Sequence, residues 1–103
     1  MNTQGWMRGL IAFNSPLDKF VNFVSNTISK EFELKLKVIK ENKSYIFCFD
    51  IYKIEVSVQE LIFLQEKGPY ALDKFILESL KTQGFKFNIN KSQYIEYCYG
   101  IYQ

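Results

Sequence analysis

The side chains that could take part in chemistry are carboxylates, thiols, tyrosines and lysines, because the 103-residue chain contains no histidine. Without an imidazole, the Ser-His-Asp and Cys-His nucleophile systems, histidine-liganded zinc and imidazole proton transfer are excluded. The two cysteines, Cys48 and Cys98, each lie in an apolar stretch, where a thiol usually behaves as a small buried hydrophobe. We therefore expect no metal site, and two thiols are too few for the disulfide framework of a small secreted domain.

The carboxylates form no catalytic pair at a recognisable spacing. Asp18 and Asp73 fall in the first turns of two predicted helices, where a carboxylate stabilises the positive end of the helix dipole. The five glycines stand apart from one another, so the sequence has no glycine-rich phosphate loop. These observations predict a protein that is not an enzyme, with no catalytic residues and no bound cofactor.

The composition predicts a single folded domain over residues 1–103. Hydrophobic residues make up 48% of the chain, which is enough apolar surface to offset the entropy cost of ordering it. No stretch reaches the roughly 20 apolar residues of a membrane span, and no signal peptide is recognisable. We therefore expect a cytoplasmic protein that does not enter a membrane. Nearly half of the residues are Lys, Ile, Phe, Asn or Tyr, whose codons are AT-rich, which indicates a low-GC bacterium, a phage or a mobile element.

Two halves of the sequence share landmarks in the same order, which predicts an internal repeat. Residues 42–52 and 90–102 both contain the pattern aromatic-Cys-aromatic-x-Ile-Tyr. Residues 17–21 match residues 72–76, and each of these segments follows a proline closely. The predicted repeat units are residues 1–53 and 54–103.

Each half contains helical spacing followed by strand alternation. Apolar residues at intervals of three and four predict helices over 16–29 and 69–83, with shorter helical segments at 4–13 and after the capping box formed by Ser57 and Glu60. The apolar period then changes to two, which predicts a β-hairpin in each half. The predicted fold is α+β, with two tandem helix-helix-hairpin repeats forming a four-stranded antiparallel sheet that carries helices on one face.

Strand alternation divides this predicted sheet into a side packed against helices and a side left uncovered. Two sets of residues have the parity of the packed side: Tyr45, Phe47, Phe49 and Ile51, and in the second half Ile95, Tyr97, Tyr99 and Ile101. The uncovered side combines lysines, a carboxylate and tyrosines, and tyrosine is enriched at protein interfaces. The predicted partner-binding residues are Lys35, Lys37, Tyr52, Lys86, Glu96 and Tyr102. An uncovered side that is merely solvated, with lysine and carboxylate side chains paired across strands, is the alternative.

Two hypotheses for function follow from these features. The first is a small protein-binding protein of bacterial or mobile-element origin, such as an immunity or inhibitor protein that blocks a toxin or another enzyme. The net charge of +2 counts against an acidic plug for a basic nuclease and favours binding through shape, aromatic anchors and mixed charge. The second is a nucleic-acid-binding module whose lysines contact phosphates and whose tyrosines stack on bases, although Glu33, Asp50 and Glu96 on the same side count against it.

Overall fold

The computed structural model describes residues 16–101, and its first element is helix α1 (Leu17–Phe32). Phe20, Val21, Val24 and Ile28 recur at helical spacing along α1 and are fully buried. The helix ends at Glu33, which has a positive φ of 55° and donates its backbone N–H to the Ser29 carbonyl. The helix predicted over 16–29 is confirmed and extends one turn further.

Three strands follow α1 and form an antiparallel sheet in which β2 lies between its two neighbours. The strands are β1 (Leu36–Lys40), β2 (Ser44–Phe49) and β3 (Tyr52–Ser57). A tight turn at Asp50 and Ile51 joins β2 to β3, and Asp50 adopts a positive φ of 53°. Its backbone N–H donates to the Lys35 carbonyl, and its carboxylate accepts from the Lys35 N–H at 2.8 Å, so this turn also anchors the entry to β1.

Three further helices complete the described part of the chain. They are α2 (Val58–Lys67), α3 (Ala71–Thr82) and α4 (Gln93–Cys98). The Ser57 hydroxyl accepts the Glu60 N–H at 3.1 Å, which confirms the predicted cap at the start of α2. The helix predicted over 69–83 is confirmed as α3. The predicted helical segment at 4–13 lies outside the described residues.

The core lies between the helices and one face of the sheet. Strand β2 contributes Tyr45, Phe47 and Phe49, as its alternation predicts, and β3 contributes Ile54 and Val56. The helices supply further large, fully buried side chains, among them Phe20, Ile28, Leu61, Leu72, Ile76, Leu77, Leu80 and Ile95. The fold is therefore α+β, with helices covering a single face of a three-stranded sheet.

The predicted second hairpin, and with it the four-stranded sheet and the tandem repeat, is wrong. Residues 83–92 form turns and irregular structure, and residues 93–98 form helix α4 instead of a return strand. The Ser92 hydroxyl accepts the Ile95 N–H at 3.2 Å and caps α4. Tyr94, Ile95 and Cys98 then bury one face at helical spacing. The first return strand was predicted to reach Tyr52 but ends at Phe49, so Ile51, predicted to face the helices, lies in the β2–β3 turn and is 85% exposed. The third strand is β3, which the sequence pattern did not predict.

The segment 83–92 is held by aromatic packing and one ion pair. The rings of Phe85 and Phe87 lie 5.1 and 5.3 Å from the ring of Phe32 at the end of α1. The Lys91 ammonium lies 2.6 Å from the carboxylate of Glu31, which is also on α1. Alternating aromatic residues here pack against a helix end, so their spacing of two does not produce a strand.

Removing the side chain at the centre of β2 tests which face of the sheet is buried. Phe47 is fully buried, so Phe47→Ala should lower the free energy of unfolding by roughly 3–5 kcal/mol in urea denaturation. Ile51 in the β2–β3 turn is 85% exposed, so Ile51→Ala should change it by less than about 0.5 kcal/mol. Equal effects of the two substitutions would contradict the strand parity.

Candidate functional site

The face of the sheet turned away from the helices carries three lysines around a short apolar centre. In the strand register, Lys37 and Lys53 flank Cys48 from its two sides, and Ile39 and Glu55 flank Ile46. All of these side chains alternate with the buried residues and are exposed or half-buried. We call this surface the open face; its residues are Lys35, Lys37, Ile39, Ile46, Cys48, Lys53 and Glu55.

The three lysines of the open face outnumber its one carboxylate, Glu55, and the carboxylates of Glu41 and Asp50 lie at its ends. Glu55 accepts the Ser44 hydroxyl at 2.9 Å, and Asp50 accepts the Lys35 backbone N–H. Within residues 16–101, the side chains of Lys37 and Lys53 form no ion pair. The open face therefore presents positive charge beside apolar surface, a combination suited to an acidic partner with an apolar centre.

One end of β1 is fixed to α1 by a charged contact on the other side of the sheet. The Lys40 ammonium lies 3.2 Å from the Asp18 carboxylate, which also accepts the Tyr45 hydroxyl. The Tyr45 hydrogen bond, followed by that from Lys40, lowers the pKa of Asp18. Asp18 thus does more than stabilise the first turn of α1, because it links that helix to both β1 and β2.

A second polar cluster joins α3 to α4 inside the protein. The fully buried Asp73 accepts the Tyr94 hydroxyl, and the Tyr70 ring stacks on the Tyr97 ring at 5.8 Å. These groups are mostly buried, and their partners lie on neighbouring elements of the same chain. The cluster explains how the short helix α4 is held and presents little surface to an external ligand.

The tyrosine that follows Cys98 is also held within the protein. Its hydroxyl donates to Glu78 at 2.8 Å, and burial together with this bond raises the pKa of Tyr99. Tyr99 therefore belongs to the contact between α3 and the chain after α4.

The six predicted partner-binding residues do not share one face. Lys35 and Lys37 lie together on the open face, as predicted. Tyr52 has the opposite parity, and its ring lies 5.5 Å from the Phe85 ring. The remaining three are placed by other parts of the chain: Lys86 in segment 83–92, Glu96 on α4, and Tyr102 outside the described residues. The prediction of a shared face was wrong because it assumed the second hairpin.

Lys53 and Glu55 are the residues of the open face on β3 that the sequence reasoning missed. From Lys53 to Ser57, exposed residues alternate with the buried Ile54 and Val56. That alternation is the signal of a half-buried strand and could have identified β3.

The chain shows no similarity to a known protein family, and its described residues contain no recognisable metal site or membrane-spanning helix. No protein-family model, curated protein sequence or solved structure matches the chain. Over residues 16–101, no group of three or more potential ligand side chains could hold a metal ion. None of the helices in this range is long and apolar enough to cross a membrane.

The Asp18 contact gives a testable dependence of stability on pH. Because the folded-state pKa of Asp18 is lowered, its stabilising contribution is present above the unfolded value of about 4 and is lost as the pH falls through the folded value. Asp18→Asn should therefore lower the urea midpoint at pH 7, and the difference from the wild type should shrink at pH values below about 4. Glu66→Gln, which removes an exposed carboxylate of α2, serves as the control and should leave the midpoint at pH 7 near that of the wild type. A difference for Asp18→Asn that grows on acidification would contradict this assignment.

Proposed function

We propose that this chain acts by binding another protein through the open face, as an inhibitor of the immunity type that blocks a toxin or another enzyme. The observation that carries the proposal is the arrangement of Lys37 and Lys53 on either side of Cys48, beside Ile39 and Ile46. Interfaces of this kind combine an apolar centre that loses water with charges around it that select and orient the partner.

The charge of the open face indicates the chemistry of the partner. Lys35, Lys37 and Lys53 are exposed and outnumber Glu55, the one carboxylate among the residues of the open face. An acidic surface with a small apolar centre complements this arrangement, whereas a basic nuclease would be repelled. The proposed target is therefore a protein whose functional surface carries Asp and Glu side chains.

Nucleic acid is the less favoured ligand because of where the aromatic rings lie. Binding to single strands generally uses aromatic side chains on which bases stack. In the part of the chain that the structure describes, the open face has lysines but no aromatic ring, since Tyr52 turns towards Phe85. Lysines alone would give salt-dependent phosphate contacts without a stacking surface.

Crosslinking from the centre of the open face tests the proposal. Cys48 is partly exposed and Cys98 is buried, so a photoreactive maleimide should label Cys48 selectively in the folded protein. After illumination in an extract of the source organism, we expect an adduct with an acidic protein, identified by mass spectrometry. With that protein purified, Lys37→Glu combined with Lys53→Glu should raise the Kd about tenfold or more, because both charges then repel an acidic surface.

The matched control is Lys19→Glu combined with Lys67→Glu, which reverses the charge of two exposed residues on helices. It should leave the Kd within about threefold of the wild type. Both double variants should keep the thermal midpoint, because exposed substitutions usually change stability by less than about 0.5 kcal/mol. An adduct with nucleic acid, or equal loss of binding in both double variants, would contradict the proposed function.

A further inference from the structure

Among residues 16–101, strand β1 has a hydrogen-bonded neighbour on one side only. The Asp50 N–H donates to the Lys35 carbonyl, and the Glu41 N–H donates to the Ser44 carbonyl, so odd-numbered residues along β1 face β2. The alternation of an antiparallel ladder then directs the backbone groups of Leu36, Val38 and Lys40 away from the sheet. No other described backbone group pairs with them.

At the opposite edge of the sheet, formed by β3, a side chain hydrogen-bonds to the outward backbone groups. On β3, the Gln83 side-chain amide donates to the Lys53 carbonyl at 2.8 Å, and its oxygen accepts the Lys53 N–H. A side chain therefore occupies the backbone groups at this position of β3. Among the described residues, the β1 edge has no such cover and is the site at which a further strand can add.

We propose that two copies of this chain pair through β1, antiparallel to each other, about a two-fold axis at Val38. The backbone groups of Leu36, Val38 and Lys40 would each find a partner, and the two sheets would become one continuous sheet. On the open side, Lys35 of one copy lies opposite Glu41 of the other, and the same pair recurs by symmetry. Lys37 lies opposite Ile39 of the second copy.

The charges along β1 favour this register over its neighbours. Centring the axis on Lys37 would place that lysine opposite its own copy. Centring it on Ile39 would place Lys37 opposite Glu41 of the second copy but also Lys35 opposite Lys43, so that the favourable and unfavourable pairs offset each other. Like charges directly opposite each other destabilise a strand pair, whereas opposite charges stabilise it. Lysines often protect an edge from pairing, but in the Val38 register none of them lies directly opposite another lysine.

A charge swap tests this dimer by sedimentation equilibrium. Lys35→Glu and Glu41→Lys should each raise the dimer Kd about tenfold, because each creates two like-charge pairs across the two-fold axis. The double variant with both changes restores opposite charges, and its Kd should return to within about threefold of the wild type. Lys37→Glu makes the same charge change on the same strand and face but meets Ile39, so it should also stay within about threefold.

Amide hydrogen exchange tests the same dimer in the wild-type protein. The Val38 amide, which points away from β2, should become protected from exchange as the protein concentration rises through the dimer Kd. A wild-type protein that stays monomeric up to about 1 mM would overturn the proposal. A double variant as weak as either single one, or a Lys37→Glu effect equal to that of Lys35→Glu, would also overturn it. Because Lys53 takes no part in this contact, loss of the dimer and loss of the proposed protein-binding function are separately detectable.

Discussion

The structure depends on β2 being paired on both sides while only one of its faces is buried. Tyr45, Phe47 and Phe49 enter the core, so Ile46 and Cys48 have to face outwards. A shift of one residue in the register would exchange the two sets, which makes this arrangement strongly specified. The neighbouring strands follow the same alternation because they are hydrogen-bonded to β2, and the open face is its direct consequence.

Polar contacts at the ends of the strands keep this arrangement in place. The Asp50 turn fixes the entry to β1, and the Asp18 carboxylate connects the start of α1 to Lys40 and Tyr45 at the other end of the sheet. Gln83 connects the end of α3 to the outer edge of β3. The two sheet edges are thus chemically distinct: one is partly occupied by a side chain and the other is left with outward backbone groups.

Elements specified by local sequence signals could be predicted, and elements decided by tertiary packing could not. Helix α1, the Ser57 cap and the parity of β2 each follow from spacing or capping over a few residues. The α4 sequence is ambiguous, because Ile95, Tyr97 and Tyr99 alternate like a strand while Tyr94, Ile95 and Cys98 have helical spacing. The Ser92 cap and burial against α3 decide for the helix. The same ambiguity affected the predicted binding residues. Lys35 and Lys37 lie on the open face, whereas Glu96 was assigned to a strand that does not form.

The outward direction of Cys48 is the central claim, since both the open face and its lysine arrangement follow from it. The most direct test is the rate at which the two thiols react in the native protein, followed by mass spectrometry after brief exposure to an alkylating reagent. Cys48 is partly exposed and Cys98 is 5% exposed. We expect Cys48 to be modified under native conditions and Cys98 to react only when the protein unfolds. Faster modification of Cys98, or equal protection of both thiols, would contradict this arrangement of the sheet.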